Sequence, residues 1–222
     1  MPMRPSAELG GEMITLYDYW RSSAAYRIRI GLNLLGLPYR SVPVDLVKGE
    51  QHSPENLARN PQGLVPTLEI DGLTLTQSLA VLEYLDEVHS AHFLPPDAPG
   101  RARVRALAYV IAMETAPVAN LSVRNLAAKL SNGGITADGW QAHFIAKGFT
   151  AFEAMLTHPE TGPYCHGDRP TLPDICLVPQ VYNARRIGLD LAPYPRLAAI
   201  ATALETLPAV QAAHPDNHQP KG

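Results

Sequence analysis

Cysteine is nearly missing from this sequence: two in 222 residues, Cys165 and Cys176. They are too few for a disulfide framework. They also lack the Cys-x-x-Cys spacing of a thioredoxin-type redox pair or a structural zinc site. They read as buried or half-buried free thiols in reducing surroundings. Basic excess is missing too. Eighteen Lys and Arg stand against 21 Asp and Glu, a net charge of −3, so there is no electrostatic footprint for nucleic acid or an anionic membrane. No apolar run reaches the roughly 18 residues of a membrane span. Met1 to Gly11 lacks the apolar stretch of a secretory signal, so residues 1–12 read as a short flexible extension and a cytoplasmic protein is expected. No glycine loop cradles a phosphate, and no Gly-x-Ser-x-Gly elbow is present. The pairs His89/His92 and His214/His218 have no carboxylate or cysteine at ligand spacing. They are expected to be solvated, and no metal is expected.

What is present suffices for a core: 46% hydrophobic residues with 18% charged. The 21 prolines are scattered through apolar periodic segments as punctuation. Met13 to Tyr17 is β-prone. Ser22 and Ser23 then open a helical pattern with Ile28, Leu32 and Leu35 on one face, stopped by Gly36 and Pro38. Val42 and Val44 suggest a second strand, which Pro43 confines to a sheet edge. After a loop, Thr67 to Ile70 and Leu73 to Thr76 flank Asp71-Gly72, a strong hairpin signal. Ser78 opens a helix carrying Leu79, Leu82 and Leu85. The order β-α-β, β-β-α requires a mixed sheet. His92 to Gly100, rich in proline, reads as a linker. Beyond it the pattern is helical: Arg101 to Leu130, Gly139 to Leu156, a capped start at Thr171-Leu-Pro-Asp174, and Pro195 to Leu207, before a frayed tail from His214 to Gly222. The expected units are an α/β domain over 13–91, the linker 92–100 and an all-α domain over 101–222.

Several motifs, in order, carry a resemblance. Arg21-Ser22-Ser23-Ala24-Ala25-Tyr26-Arg27-Ile28-Arg29-Ile30 resembles the Ser-Ser-Cys-x-x-Arg-Val-Arg-Ile motif of the zeta-class glutathione transferases, the maleylacetoacetate isomerase family. Asn60-Pro61-Gln62-Gly63-Leu64-Val65-Pro66-Thr67 is similar to its loop before the third strand, and Gln77-Ser78 to its glutathione-binding turn. Asp174 to Val181 and Asp190 to Pro195 resemble two further segments. The resemblance implies the glutathione transferase fold: a thioredoxin-like α/β domain with a mixed sheet, then an all-α domain. It implies glutathione as cofactor, a dicarboxylate substrate and a homodimer.

By the same resemblance Ser22 hydrogen-bonds the glutathione sulfur with Ser23 in support, Gln77 and Ser78 hold the γ-glutamyl group, Val65 and a cis Pro66 meet the cysteinyl backbone, and Gln51 meets the glycine end. The physical reason is plain at the serines. Hydroxyls and free N–H groups at a helix N-terminus favour an anion, and a thiol that titrates near 8.5 needs such donors to ionise at neutral pH. A dianionic substrate asks for arginine, whose planar fork matches a carboxylate. Arg21 lies beside the serines and Arg186 falls on the family's substrate-binding arginine, whereas Arg185 and Arg124 read as exposed. Ala24 replaces the family's cysteine, and Ala116 and Ala119 replace polar pocket residues. The implied activity is glutathione-dependent cis–trans isomerisation of a maleyl keto acid, foremost maleylacetoacetate to fumarylacetoacetate in phenylalanine and tyrosine catabolism. The alternatives are maleylpyruvate isomerisation, glutathione transfer to small electrophiles such as α-halo acids, and a binding role without catalysis.

Overall fold

β-Branched and aromatic residues at Ile14–Asp18 form β1, an inner strand of a four-stranded sheet in the order β2-β1-β3-β4. In the computed structural model residues 13–220 are described; the expected extension over 1–12 and the last two residues of the tail, 221–222, lie outside them. β2 (Tyr39–Pro43) runs parallel to β1, whereas β3 (Thr67–Ile70) and β4 (Leu73–Thr76) are antiparallel neighbours, so the sheet is mixed. Pro43 ends the edge strand β2, where its missing N–H is tolerated. Asp71 and Gly72 both take positive φ, 53° and 73°, as a tight hairpin turn demands.

α1 (Ser23–Leu34) crosses from β1 to β2, and α3 (Ser78–His89) follows the hairpin. Together they bury Ile28, Leu32, Val81, Leu82 and Leu85 against Leu16 and Leu68 of the sheet. The two helices approach closely at Gly31, where a Cβ would lie 2.4 Å from Leu82 Cδ2. The stretch between β2 and β3, expected as a loop, holds a 3₁₀ turn at Glu50–His52 and α2 (Pro54–Arg59). The Ser53-Pro54 start explains α2: the Ser53 hydroxyl accepts from Asn56 N at 3.2 Å, and proline suits the first helical position.

The second part of the chain is helical: α4 (Ala98–Tyr109), α5 (Leu121–Leu130), α6 (Ala137–Met155), α7 (Leu172–Arg186), α8 (Pro195–Glu205) and α9 (Pro208–Ala212). α4 starts three residues earlier than expected, because Asp97 caps it through Gly100 N at 2.8 Å. The single helix expected from Arg101 to Leu130 is broken. Val110–Thr115 winds as a π-helical turn, with the Thr115 hydroxyl donating to Val110 O at 2.7 Å. Pro117 follows, and Asn120 caps a new helix, α5. The tail also differs from a frayed end. Pro215–His218 forms a 3₁₀ turn, and His214 packs edge-on against Tyr26 and Tyr182, with centroids 6.3 and 5.4 Å away. His214 and His218 are thus half-buried rather than solvated, while His89 and His92 are exposed. Among the described residues no helix is long and apolar enough to cross a membrane, and no three His, Cys, Asp or Glu are grouped to hold a metal ion.

Asp174 anchors the buried helix α7. Fully buried, it accepts from Thr171 N at 2.8 Å and Thr171 Oγ1 at 2.7 Å, and from Cys165 N at 2.9 Å. Asp174→Ala orphans three buried donors at once, so urea unfolding should show a loss of about 3 kcal/mol. Both cysteines are fully buried, and burial pushes their thiols up, Cys176 to about 11. A thiol reagent should therefore find no fast-reacting group in the native protein and two after denaturation.

Candidate active site

The site grows from the turn between β1 and α1. Asp18 ends the strand, Ser22 N donates to Tyr19 O at 2.8 Å, and Ser22 becomes the N-cap of α1 with extended backbone (φ −66°, ψ 121°). Its hydroxyl accepts from Ala25 N at 3.2 Å, which leaves the hydroxyl proton to donate outward. Ser23, the first helical residue, accepts from Asn183 Nδ2 at 2.7 Å. That bond ties α1 to α7, and Asn183 is a site residue that motif reading did not single out. Its place one turn before Arg186 in α7 was the available signal. Arg21 lies flat over Trp20, its Cζ 4.7 Å from the ring centroid, and donates to Tyr19 OH at 3.2 Å. Ala24 occupies the first turn of α1, half-buried.

The turn itself is held from below by Arg29. This side chain is fully buried and donates to Asp18 Oδ2 at 2.7 Å, Trp20 O at 2.9 Å and Ala213 O at 3.1 Å. Asp18 Oδ1 accepts from Ser41 on β2 at 2.9 Å. Arg29 was visible in the sequence only as a motif letter.

A second helix start faces the loop before β3. Gln77, at the N-cap of α3, has φ 68° and ψ 105°, an unusual conformation for a residue with a side chain and typical of functional turns. Its amide donates to Gln62 Oε1 at 2.9 Å, linking helix and loop. The loop is staked by buried Asn60, which donates to Leu64 O at 3.1 Å and accepts from Gln62 N at 3.1 Å. Val65-Pro66 is cis. Gly63, at φ 63°, abuts the 3₁₀ turn: a Cβ there would lie 2.7 Å from His52 Nδ1. Gln51, on the same turn, is half-buried with a buried side-chain oxygen that has no partner among the described residues. Ser78 is buried and its hydroxyl accepts from Arg27 Nη1 at 3.2 Å.

Positive charge closes the third side. Arg186 is exposed on the last turn of α7, and partial desolvation, then the charges of Arg21 and Arg124, hold its guanidinium below the usual arginine value. Arg186 stands one turn beyond Asn183, whose bond to Ser23 sets that end of α7 beside the turn that carries Arg21. Arg124 differs from the expected exposed residue. It is half-buried and donates to Asp138 Oδ1 at 2.8 Å and Gln141 Oε1 at 2.6 Å on α6. Arg185 is exposed and pairs with Glu205. Ala116 is half-buried and Ala119 buried, so neither offers a side-chain donor.

Known proteins share this architecture. Residues 12–87 match the glutathione S-transferase N-terminal domain model and residues 138–203 the glutathione S-transferase C-terminal domain model. The chain is 56% identical over 207 residues to a maleylacetoacetate isomerase of Rhizobium meliloti, covering 92% of this chain and 97% of that one. A holo structure of a bacterial zeta-class maleylpyruvate isomerase superposes with a TM-score of 0.89 at 40% identity, covering 94% and 100% of the chains. A maleylacetoacetate isomerase of Anaeromyxobacter dehalogenans, with dicarboxyethyl glutathione and citrate in its active site, gives 0.82 at 45% identity over 94% and 93%. With serines at one helix start, Gln77-Ser78 at another and this likeness over nearly the whole length, the chain belongs to the zeta-class glutathione transferase family that includes the maleylacetoacetate isomerases.

Proposed function

We propose that this protein is a glutathione-dependent cis–trans isomerase of a maleyl keto acid, foremost maleylacetoacetate to fumarylacetoacetate, as in phenylalanine and tyrosine catabolism. The observation that carries the reading is the bond from Asn183 to Ser23, which sets the last turn of α7, with Arg186, at the Ser22 helix start beside Arg21. A nucleophile-stabilising terminus next to concentrated positive charge suits an anionic substrate that must be attacked by an anion. The names of the relatives agree, and so does the dicarboxylate-bearing ligand in the Anaeromyxobacter dehalogenans structure.

The residues present fit glutathione. A buried cation behind Ser78 and the N-terminus of α3 suit its γ-glutamyl carboxylate, and Gln77 adds an amide. Val65 supplies backbone groups for the cysteinyl unit, and Gln51 stands toward the glycine end. Bound glutathione supplies a thiolate whose reversible addition makes the cis double bond single, so that it can rotate. The Ser22 hydroxyl would donate a hydrogen bond to that thiolate, and the free N–H groups of α1 would add background stabilisation. Ser23, fixed by Asn183, keeps the helix start in register with α7. Arg21 and Arg186 clamp the substrate's carboxylates, and Arg124, braced by Asp138 and Gln141, strengthens the field. In this reading residues 13–91 hold glutathione, 92–100 link, 101–222 wall the substrate side, and the protein works as a cytoplasmic homodimer.

Two observations favour neighbouring chemistries. The maleylpyruvate isomerase superposes with the higher TM-score of the two structures above. Ala24, Ala116 and Ala119 leave the pocket poorer in donors, which favours conjugation to small electrophiles such as α-halo acids.

Maleylacetone, a stable analogue, tests the reading. With catalytic glutathione it should isomerise while free thiol stays constant; loss of thiol without isomerisation would establish conjugation instead. Ser22→Ala should lower kcat by about 100-fold. Arg186→Ala should raise KM by about 10-fold while sparing kcat. Near-normal kinetics in both variants would remove these residues from the site.

A further inference from the structure

Arg27 is the anomalous charge of the molecule. It lies on α1 one turn beyond Ser23, and only 4% of it is exposed. Unlike Arg29, it meets no carboxylate among the described residues. Nη1 donates to the Ser78 hydroxyl at 3.2 Å, and Nε and Nη2, both buried, have no partner among the described residues. The nearby Cys176 offers no counter-charge, because burial keeps its thiol protonated. An unpaired buried guanidinium costs stability, and an apolar side chain of similar length would cost less. The direction of the bond to Ser78 gives the arginine a use. Because Ser78 Oγ accepts from Arg27, its own proton is committed to a different acceptor. Ser78 opens α3, where the helix dipole already favours an anion as that acceptor.

We propose that Arg27 is a positioning residue of the γ-glutamyl subsite: it turns the Ser78 hydroxyl outward as a donor to the ligand's α-carboxylate and supplies the buried positive charge that this carboxylate meets. The proposal rests on the reading above that Gln77 and Ser78 hold the γ-glutamyl end. It adds a charge that acts through Ser78 and never touches the ligand. Arg27 and Arg29, two residues apart, then do opposite work: Arg29 is paired inside the protein, and the charge of Arg27 is balanced, across Ser78, by the anion that binds.

Calorimetric titration of the full-length protein separates the possibilities. The probes are glutathione and 4-aminobutanoyl-cysteinylglycine, the same peptide without the α-carboxylate. The wild type should prefer glutathione. Arg27→Met should lose roughly 30-fold in affinity for glutathione yet bind the analogue within about twofold of wild type. Its unliganded melting temperature should equal or exceed that of wild type, as expected for a removed unpaired charge. Arg27→Lys, which keeps the charge, should retain most of the preference. Equal weakening toward both ligands, or an Arg27→Met protein that fails to fold, would make the arginine structural and overturn the proposal. A wild type that binds neither peptide would bring down the glutathione reading itself. A wild type that binds both equally would leave that reading standing and remove this subsite.

Discussion

The buried pair of Arg29 and Asp18 is the interaction on which the site depends. The three bonded nitrogens of Arg29 reach the end of β1, the turn after it and the end of α9. Asp18 extends the network to the edge strand through Ser41. Few arrangements satisfy so many donors and acceptors in a dry interior, and each departure leaves a charge or a dipole unpaired. The turn at Tyr19 to Ser22 is therefore fixed from beneath, and the side chains that face outward inherit its rigidity. The docked tail becomes intelligible in the same terms, since Ala213 is one of the acceptors that keep Arg29 satisfied.

On that base the chain uses one device twice. A strand or loop delivers a helix start, and the unpaired N–H groups there face a ligand position. At α1 the cap is Ser22; at α3 it is the left-handed Gln77 followed by Ser78. The helical part completes the first. Asn183 of α7 holds Ser23, and Arg186, one turn on, adds its charge to that of Arg21. In the proposed reading, function follows from complementary charge: thiolate and carboxylates on the ligands, helix termini and guanidinium groups on the protein.

Much of this was legible in the residue order because the signals are local. Ser22 precedes an apolar stripe, Asp71-Gly72 joins two β-prone runs, and Thr171 stands three residues before Asp174. The features that stayed hidden join distant residues. Arg27 meets Ser78 across 51 positions and Asn183 meets Ser23 across 160. Nothing in the neighbourhood of either residue announces such partners. The interruption at Val110–Thr115 is of the same kind. Gly148 of α6 lets Thr115 approach so closely that a Cβ would lie 2.1 Å from its hydroxyl, and the helix winding there reflects that contact. Arg124 was misjudged for the same reason, because its braces Asp138 and Gln141 lie on another helix.

The central claim is that the α1 helix start and the Ser22 hydroxyl hold a sulfur anion. The direct measurement is the titration of the glutathione thiol in its complex with the protein, followed by thiolate absorbance, in wild type and in Ser22→Ala. A midpoint clearly below the value of about 8.5 for a free thiol in wild type, returning toward it in the variant, is the expected result. A midpoint unchanged by binding, or lowered equally in both proteins, would contradict the assignment of Ser22.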